Sequence, residues 1–310
     1  MNRVSDIIGS NKNIDGWKIV RVHSDSYQLF CIHGKIETVR RASSVNYTAT
    51  VYVNHDGKTG SGTFTVNVSD SAEEIAAKTD KAAASARLIF DEPYALPYKQ
   101  QLMAMVPCDY VGVEIAELAN MVYEAVLRGC KAAHCDVNAL EIFLDSAKTQ
   151  IVNSRGLEKC QKSRYIMLEA IPTCTYGGES VELYKTISLA NADMERITCE
   201  IRSSLADAAA RLKAVRPAEK IECPVVFRAD EIKELVSALV ADSDFSAVYS
   251  GNNLHKIGEK WNSGGVCPLT VTLKGLIPDC AGGGFFDSDG CSITTLSCSG
   301  SAEIHSFGDR

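Results

Sequence analysis

The sequence predicts an α+β protein: a β-rich N-terminal sheet backed by a long helix, a second α/β unit, and a C-terminal mixed β domain that looks incomplete. Three observations lead there. β-branched and aromatic residues alternate through residues 45–53 and return through 63–68, the period of a half-buried strand. Residues 72–90 and 193–214 space their apolar side chains as helices do. Proline-bearing stretches at 93–107 and 216–220 divide the chain, which sets domains at residues 1–92, 108–215 and 220–310.

In the first domain, residues 17–22, 27–32 and 36–40 read as short strands, with His33-Gly34 as a tight turn. Asn54-His55-Asp56-Gly57 closes a hairpin, because Asp-Gly accepts the positive φ angles of a type I′ turn. Gly60-Ser61-Gly62 reads as a further turn. A strand follows it rather than a helix, and no Lys-Ser/Thr step is present, so it does not match a phosphate loop. Asp70 with Glu73 has the spacing of a capping box for the helix over 72–90, and the alanines of that helix suit close packing on a sheet.

The second domain opens with a helix whose apolar residues include Ile115, Leu118, Val122 and Val126, with Gly129 as its C-cap. Residues 140–144, 149–152, 165–171 and 181–190 read as strands. Asn153-Ser154-Arg155-Gly156 and Tyr176-Gly177-Gly178-Glu179 are the turns between them. A helix over 193–214 completes the unit. The third domain begins with an apolar strand at 223–227, run into a helix capped by Asp230. There Ile232, Leu235, Val236 and Leu239 make one stripe expected to be buried. A strand at 269–273, a glycine-rich loop at 281–290 and short strands at 291–296 and 302–307 end the chain. Large apolar residues are few beyond Gly275, so this domain is undersized for an independent core.

Composition excludes several classes of function. The 310 residues are 45% hydrophobic and 23% charged, with a net charge of −7, which fits a globular protein and opposes general nucleic-acid binding. No run approaches the roughly 20 apolar residues of a membrane span, and the start carries no apolar signal segment. A cytoplasmic location is expected, and the twelve cysteines, none in a CxxC pair, are expected as reduced thiols, several of them in cores. Cys130, His134 and Cys135 are the nearest approach to a metal cluster, and they lack a fourth ligand.

Four motifs in order carry a resemblance: Asp56-Gly57-Lys58-Thr59-Gly60, Asn153-Ser154-Arg155-Gly156-Leu157, Ser250-Gly251-Asn252-Asn253-Leu254-His255-Lys256-Ile257-Gly258, and Phe286-Asp287-Ser288-Asp289-Gly290. With the helices between them, the sequence resembles the TldD/PmbA family of metallopeptidase-related proteins, also called modulators of DNA gyrase. The resemblance implies that the helix after residues 223–227 is where catalytic members carry His-Glu-x-x-x-His. There, imidazoles hold zinc while a carboxylate activates its bound water. Residues 230–242 contain Glu231 and Glu234 but no histidine, and the six histidines, at 23, 33, 55, 134, 255 and 305, form no such motif. Set beside the family, the chain also ends early, soon after the 286–290 loop.

The resemblance thus implies a PmbA-like member without the zinc motif: a non-catalytic subunit of a cytoplasmic peptidase complex that acts on unfolded or extended peptides. Its expected partner is a zinc-bearing TldD-like subunit. The alternative is a stand-alone peptide-binding or structural homodimer. No catalytic, cofactor-binding or metal-binding residue is assigned, no cofactor is expected, and neither nucleic acid nor membrane is an expected partner. An enzyme built on other groups would draw on Asp287 with Asp289, Glu231 with Glu234, or His255. Each has a simpler reading: the aspartates shape a turn, the glutamates serve a helix N-terminus, and the histidine lies on the surface.

Overall fold

The structure, a computed structural model, describes residues 1–130, 134–242, 244–260, 272–278, 280–293, 295–297, 299–300 and 303–304. The described chain is mixed α and β, and its largest sheet, of eight strands, is curled. It divides into two compact units: Met1–Ala214 with Pro278–Phe285 and Asp289–Cys291, and Val215–Ile277 with Phe286–Ser288 and Ser292–Arg310.

The first unit begins with helix α1 (Asn2–Gly9). Strands β1 (Gly16–Ile32), β2 (Lys35–His55) and β3 (Lys58–Val66) follow, then helix α2 (Ala72–Ala86), strand β4 (Gln101–Met105) and helix α3 (Ile115–Gly129). Strands β5 (Cys135–Asn153), β6 (Glu158–Tyr176), β7 (Glu179–Glu182) and β8 (Lys185–Leu189) precede helix α4 (Met194–Leu212). The sheet order is β3-β2-β1-β5-β6-β4, with β7 and β8 also on β6. Every pairing in it is antiparallel except β4 with β6.

Several short strands expected from the sequence are single long ones. Residues 36–40 and 45–53 both belong to β2, and 140–144 and 149–152 both belong to β5. The polar residues between them do not break the ladder, because pairing satisfies the backbone whatever the side chains. His33-Gly34 and Asp56-Gly57 turn as expected, with φ of 46° and 70°, and of 50° and 73°. The expected strand at 181–190 is split into β7 and β8, where the Leu183 N–H donates to the Pro172 carbonyl. Strand β4 lies inside the proline-bearing stretch at 93–107, where the sequence predicts no strand.

Ile19 and Leu29, ten residues apart on β1, share the sheet face that the helices cover. Helices α1 and α2 close a core there around Ile8, Ile19, Ala49, Val51 and Ile75. Helices α3 and α4 close a larger one around Leu29, Val122, Ile142, Leu168 and Ile201.

Gly60-Ser61-Gly62 is not a turn but the middle of β3. A Cβ on Gly60 would lie 1.7 Å from the Ala86 carbonyl oxygen, and one on Gly62 would lie 2.2 Å from that of Ala82. These glycines let α2 rest directly on the strand backbone. Gly129 serves a similar purpose. It is the last residue of α3 rather than a cap, and its absent Cβ makes room for Ile201 and the Thr198 carbonyl of α4.

The capping box of α2 is one residue later than the sequence suggested. The Ser71 hydroxyl accepts from the Glu74 N–H, and the Glu74 carboxylate accepts from the Ser71 N–H. Asp70 is committed elsewhere, to the Asn67 N–H and to Lys78 at 2.5 Å. The helix stops at Ala86, not at residue 90, because Asp91 pairs with Thr59 through two backbone hydrogen bonds.

Cys135 and Cys174 face each other across β5 and β6 and form a disulfide. The expectation of reduced thiols fails for this pair, which the register places 4.1 Å apart at Cα. Cys31 and Cys130 are thiols that burial pushes up to about 11.

In the second unit, helices α5 (Ala229–Asp242) and α6 (Phe245–Tyr249) are followed by short pairs. β9 (Thr272–Leu273) pairs with β10 (Leu296–Ser297), and β11 (Ser299–Gly300) pairs with β12 (Glu303–Ile304). Residues 223–227 are not a strand; they are irregular, and Val226 is 94% exposed. With no strand there for α5 to lie on, its apolar stripe is not buried as expected: Ile232 is 42% and Leu235 54% exposed, and Val236 is half-buried. The side chain of Leu239 lies outside the described residues. So do the strand expected at 269–273, except for Thr272–Leu273, and the one at 302–307, except for Glu303–Ile304.

Asp70 supplies a test of the α2 capping region. Lys78, then the Asn67 N–H, hold its carboxyl below the usual carboxylate range. A folded pKa below the unfolded one adds stability that is present above the unfolded value, about 4, and is lost as pH falls through the folded value. Urea midpoints at pH 6 and pH 3 should therefore differ by less in Asp70→Asn than in the wild type. An equal drop in both would remove this role from Asp70.

Candidate functional site

Asp289 and Lys18 lie 271 residues apart in sequence, yet they form an ion pair at 2.5 Å with side chains only 10% and 13% exposed. Lys18 projects from β1. Asp289 comes from the glycine-rich loop, which is also anchored where the Phe285 N–H donates to Gln161 Oε1 of β6 at 2.9 Å. Gly290, at φ +85°, passes so close to the strand ends that a Cβ would meet Leu157 at 2.3 Å. Asp289 therefore anchors the loop on the sheet.

The other sequence candidates are distributed as follows. Glu231 accepts from Arg228 at 3.0 Å, and Glu234 is exposed beside it on α5. Arg228 holds the Glu231 carboxyl below the usual range. His255 is not a bare surface side chain. Its Nδ1 lies 2.7 Å from Asp242 Oδ2, while Asp242 Oδ1 accepts from the Leu254 N–H. Burial opposes ionisation of Asp242, but these donors keep its carboxyl below the usual range. The pair ties the end of α5 to the motif loop after α6 and turns His255 Nε2 away from Asp242. His134 stacks edge-on against Tyr176, and Cys135 is in the disulfide, so Cys130, His134 and Cys135 do not make a metal site.

The zinc that the resemblance implies for catalytic members does not fit the residues present here. The sequence of α5 holds four carboxylates, Asp230, Glu231, Glu234 and Asp242, and no imidazole. Among the described residues no group of three His, Cys, Asp or Glu side chains is arranged to hold a metal ion.

Sequence reading missed a cleft of about 740 Å³ in the first unit, where the β2–β3 and β5–β6 turns meet the 93–96 segment. Its lining includes Tyr52, His55, Lys58, Tyr94, Ser154 and Arg155, so it joins the first two motifs. Asn153 builds the second turn: its Oδ1 accepts from the Arg155 and Leu157 N–H groups, and its Nδ2 donates to the Pro97 carbonyl. Arg155 donates to the Leu96 carbonyl at 3.0 Å and sits 4.1 Å above the Tyr98 ring. Tyr52 and Tyr94 meet edge to face. The cleft thus sets Tyr52 and Tyr94 among Asp15, Asp56, Lys58 and Arg155, with Lys58 paired to Glu92, a mix of aromatic and charged groups suited to binding a polar chain.

Replacing Asp289 by Ala leaves Lys18 poorly solvated against the sheet, at a cost on the order of 3 kcal/mol. Urea unfolding should show that loss, and Lys18→Met with Asp289→Leu should recover much of it. A loss under 1 kcal/mol would show that the loop does not depend on this pair.

Comparison with known proteins agrees with this architecture. Residues 17–86 match the family model for PmbA/TldA metallopeptidase domain 1. No curated protein matches the chain. The fold is similar to that of TldE from Thermococcus kodakarensis, at 15% identity and a TM-score of 0.74, over 99% of this chain and 70% of that one. It is also similar to a Thermotoga maritima protein described as a "putative modulator of a DNA gyrase", at 15% identity and a TM-score of 0.74, over 100% of this chain and 70% of that one. A Bacteroides thetaiotaomicron protein described in like words has 17% identity and a TM-score of 0.69, with 99% and 70% covered. Residues 17–86 thus match the first-domain pattern of the PmbA/TldA metallopeptidases, and the chain shares its fold with the TldE and gyrase-modulator structures.

Proposed function

We propose that this chain is a non-catalytic subunit of a TldD/PmbA-type cytoplasmic peptidase complex, holding unfolded or extended peptide for a zinc-bearing partner. The observation that carries this reading is the donor set of α5. Where the family resemblance puts zinc chemistry, this helix presents the Arg228–Glu231 ion pair and Glu234, with no histidine in its sequence. The exposed Ile232 and Leu235 on the same helix give a partner apolar surface to cover, and the cleft with Tyr52 and Arg155 gives a polypeptide a place to rest. The fold similarity to a protein named TldE is consistent with this reading.

The test is reconstitution. The chain is purified alone and together with a relative that carries His-Glu-x-x-x-His, and peptide hydrolysis and association are measured. The expected result is a stable heteromer that cleaves unfolded peptide faster than the partner alone, with no hydrolysis by this chain by itself. A chain that forms only a homodimer and leaves the partner's activity unchanged would replace this reading with the stand-alone binding protein.

A further inference from the structure

The β2–β3 ladder covers only part of β2. Its register runs from Tyr47 opposite Val66 to His55 opposite Lys58, whereas β2 begins at Lys35. Along residues 35–46 the inner edge pairs with β1, and no described strand pairs with the outer edge. At about 3.4 Å per residue this open edge is about 40 Å long, enough for a ten-residue strand. Open edges of that length are normally blunted by proline, a bulge, brevity or charged side chains. Here residues 35–46 contain no proline; the bulge lies at Glu37, which the register skips between Ile36 opposite Cys31 and Thr38 opposite Phe30, so the edge is regular from Thr38 to Asn46.

The charge on this edge is opposite to that of the whole chain. Residues 35–46 carry Lys35, Arg40 and Arg41 against Glu37, within a protein of net charge −7. Because successive residues alternate faces, Arg40 and Arg41 place one cation on each side of the sheet. Arg41 is held 5.0 Å over the Tyr27 ring. Ile36 and Val39 are 41% and 51% exposed and supply apolar cross-strand contact. A second copy of the chain suits this edge less well. Twofold strand pairing is antiparallel, and the register using the whole of 35–46 sets Arg40 opposite Arg41, where like charges repel.

We propose that residues 35–46 of β2 form a strand-addition site for an extended acidic polypeptide segment, its backbone completing the ladder and its carboxylates meeting Arg40 and Arg41. This site is distinct from the α5 surface, and its failure would leave the subunit reading intact.

The experiment is fluorescence anisotropy of labelled ten-residue Val/Thr peptides on the full chain, with the two central residues as Glu, Gln or Lys. The Glu peptide should bind roughly tenfold more tightly than the Lys peptide at low salt, as two cross-strand charge pairs of up to about 1 kcal/mol each allow. Arg40→Glu with Arg41→Glu should reverse the order, with a cooperative thermal transition showing that the variant remains folded. N-methylation of alternate residues along one edge of the Glu peptide should abolish binding, and along the other edge should not. Amide exchange in residues 35–46 should slow when peptide is added. The proposal is overturned by equal affinity for the three peptides, by charge reversal that leaves the order unchanged, or by N-methylation without effect on either edge. It is equally overturned if light scattering shows a dimer in which these amides are already protected.

Discussion

The structure depends on the pairing of β1 along its whole length with two neighbours. Gly16–Ile32 hydrogen-bonds to β2 on one side and, from Lys18 onward, to β5 on the other. The N-terminal hairpin and the middle hairpin are thereby one sheet rather than two. Because the register fixes which residues face the helices, it also fixes both cores. A slip of one residue would turn Ile19 and Leu29 away from them. The glycine contacts of β3 with α2, and of α3 with α4, then set how closely the helices approach.

What was legible in the sequence follows from the range of each interaction. His33-Gly34 and Asp56-Gly57 were legible because a turn is decided by two adjacent residues. Helices α3 and α4 were legible because their stripes repeat over four turns. Strand β4 was not, since only five residues between prolines signal it and its partner Glu158–Lys162 lies far along the chain. Gly60 and Gly62 were misread because glycine marks both turns and close backbone approach, and composition alone does not separate the two. The stripe on α5 was read correctly as a stripe and wrongly as buried. Periodicity locates an apolar face but says nothing about what covers it.

The candidate site shows the same division. The motifs were found as turns, and in the folded chain each has a distinct role. The first two line one cleft, the third supplies the imidazole held by Asp242, and the last anchors to Lys18. None of these partnerships could be read from spacing, because Lys18 with Asp289 and Asn153 with Pro97 are matched only by the folded sheet. The missing histidines, by contrast, required only counting. The chain shares the fold of the TldE and gyrase-modulator structures, while α5, the helix that the resemblance links to zinc chemistry, has no histidine in its sequence.

Zinc titration of the purified full chain, followed by calorimetry and by amide exchange across α5, tests this central claim most directly. The account predicts no stoichiometric zinc and unchanged exchange in residues 229–242. One zinc bound per chain, slowing exchange on α5 and lost when Glu231 and Glu234 are replaced by Gln, would contradict it.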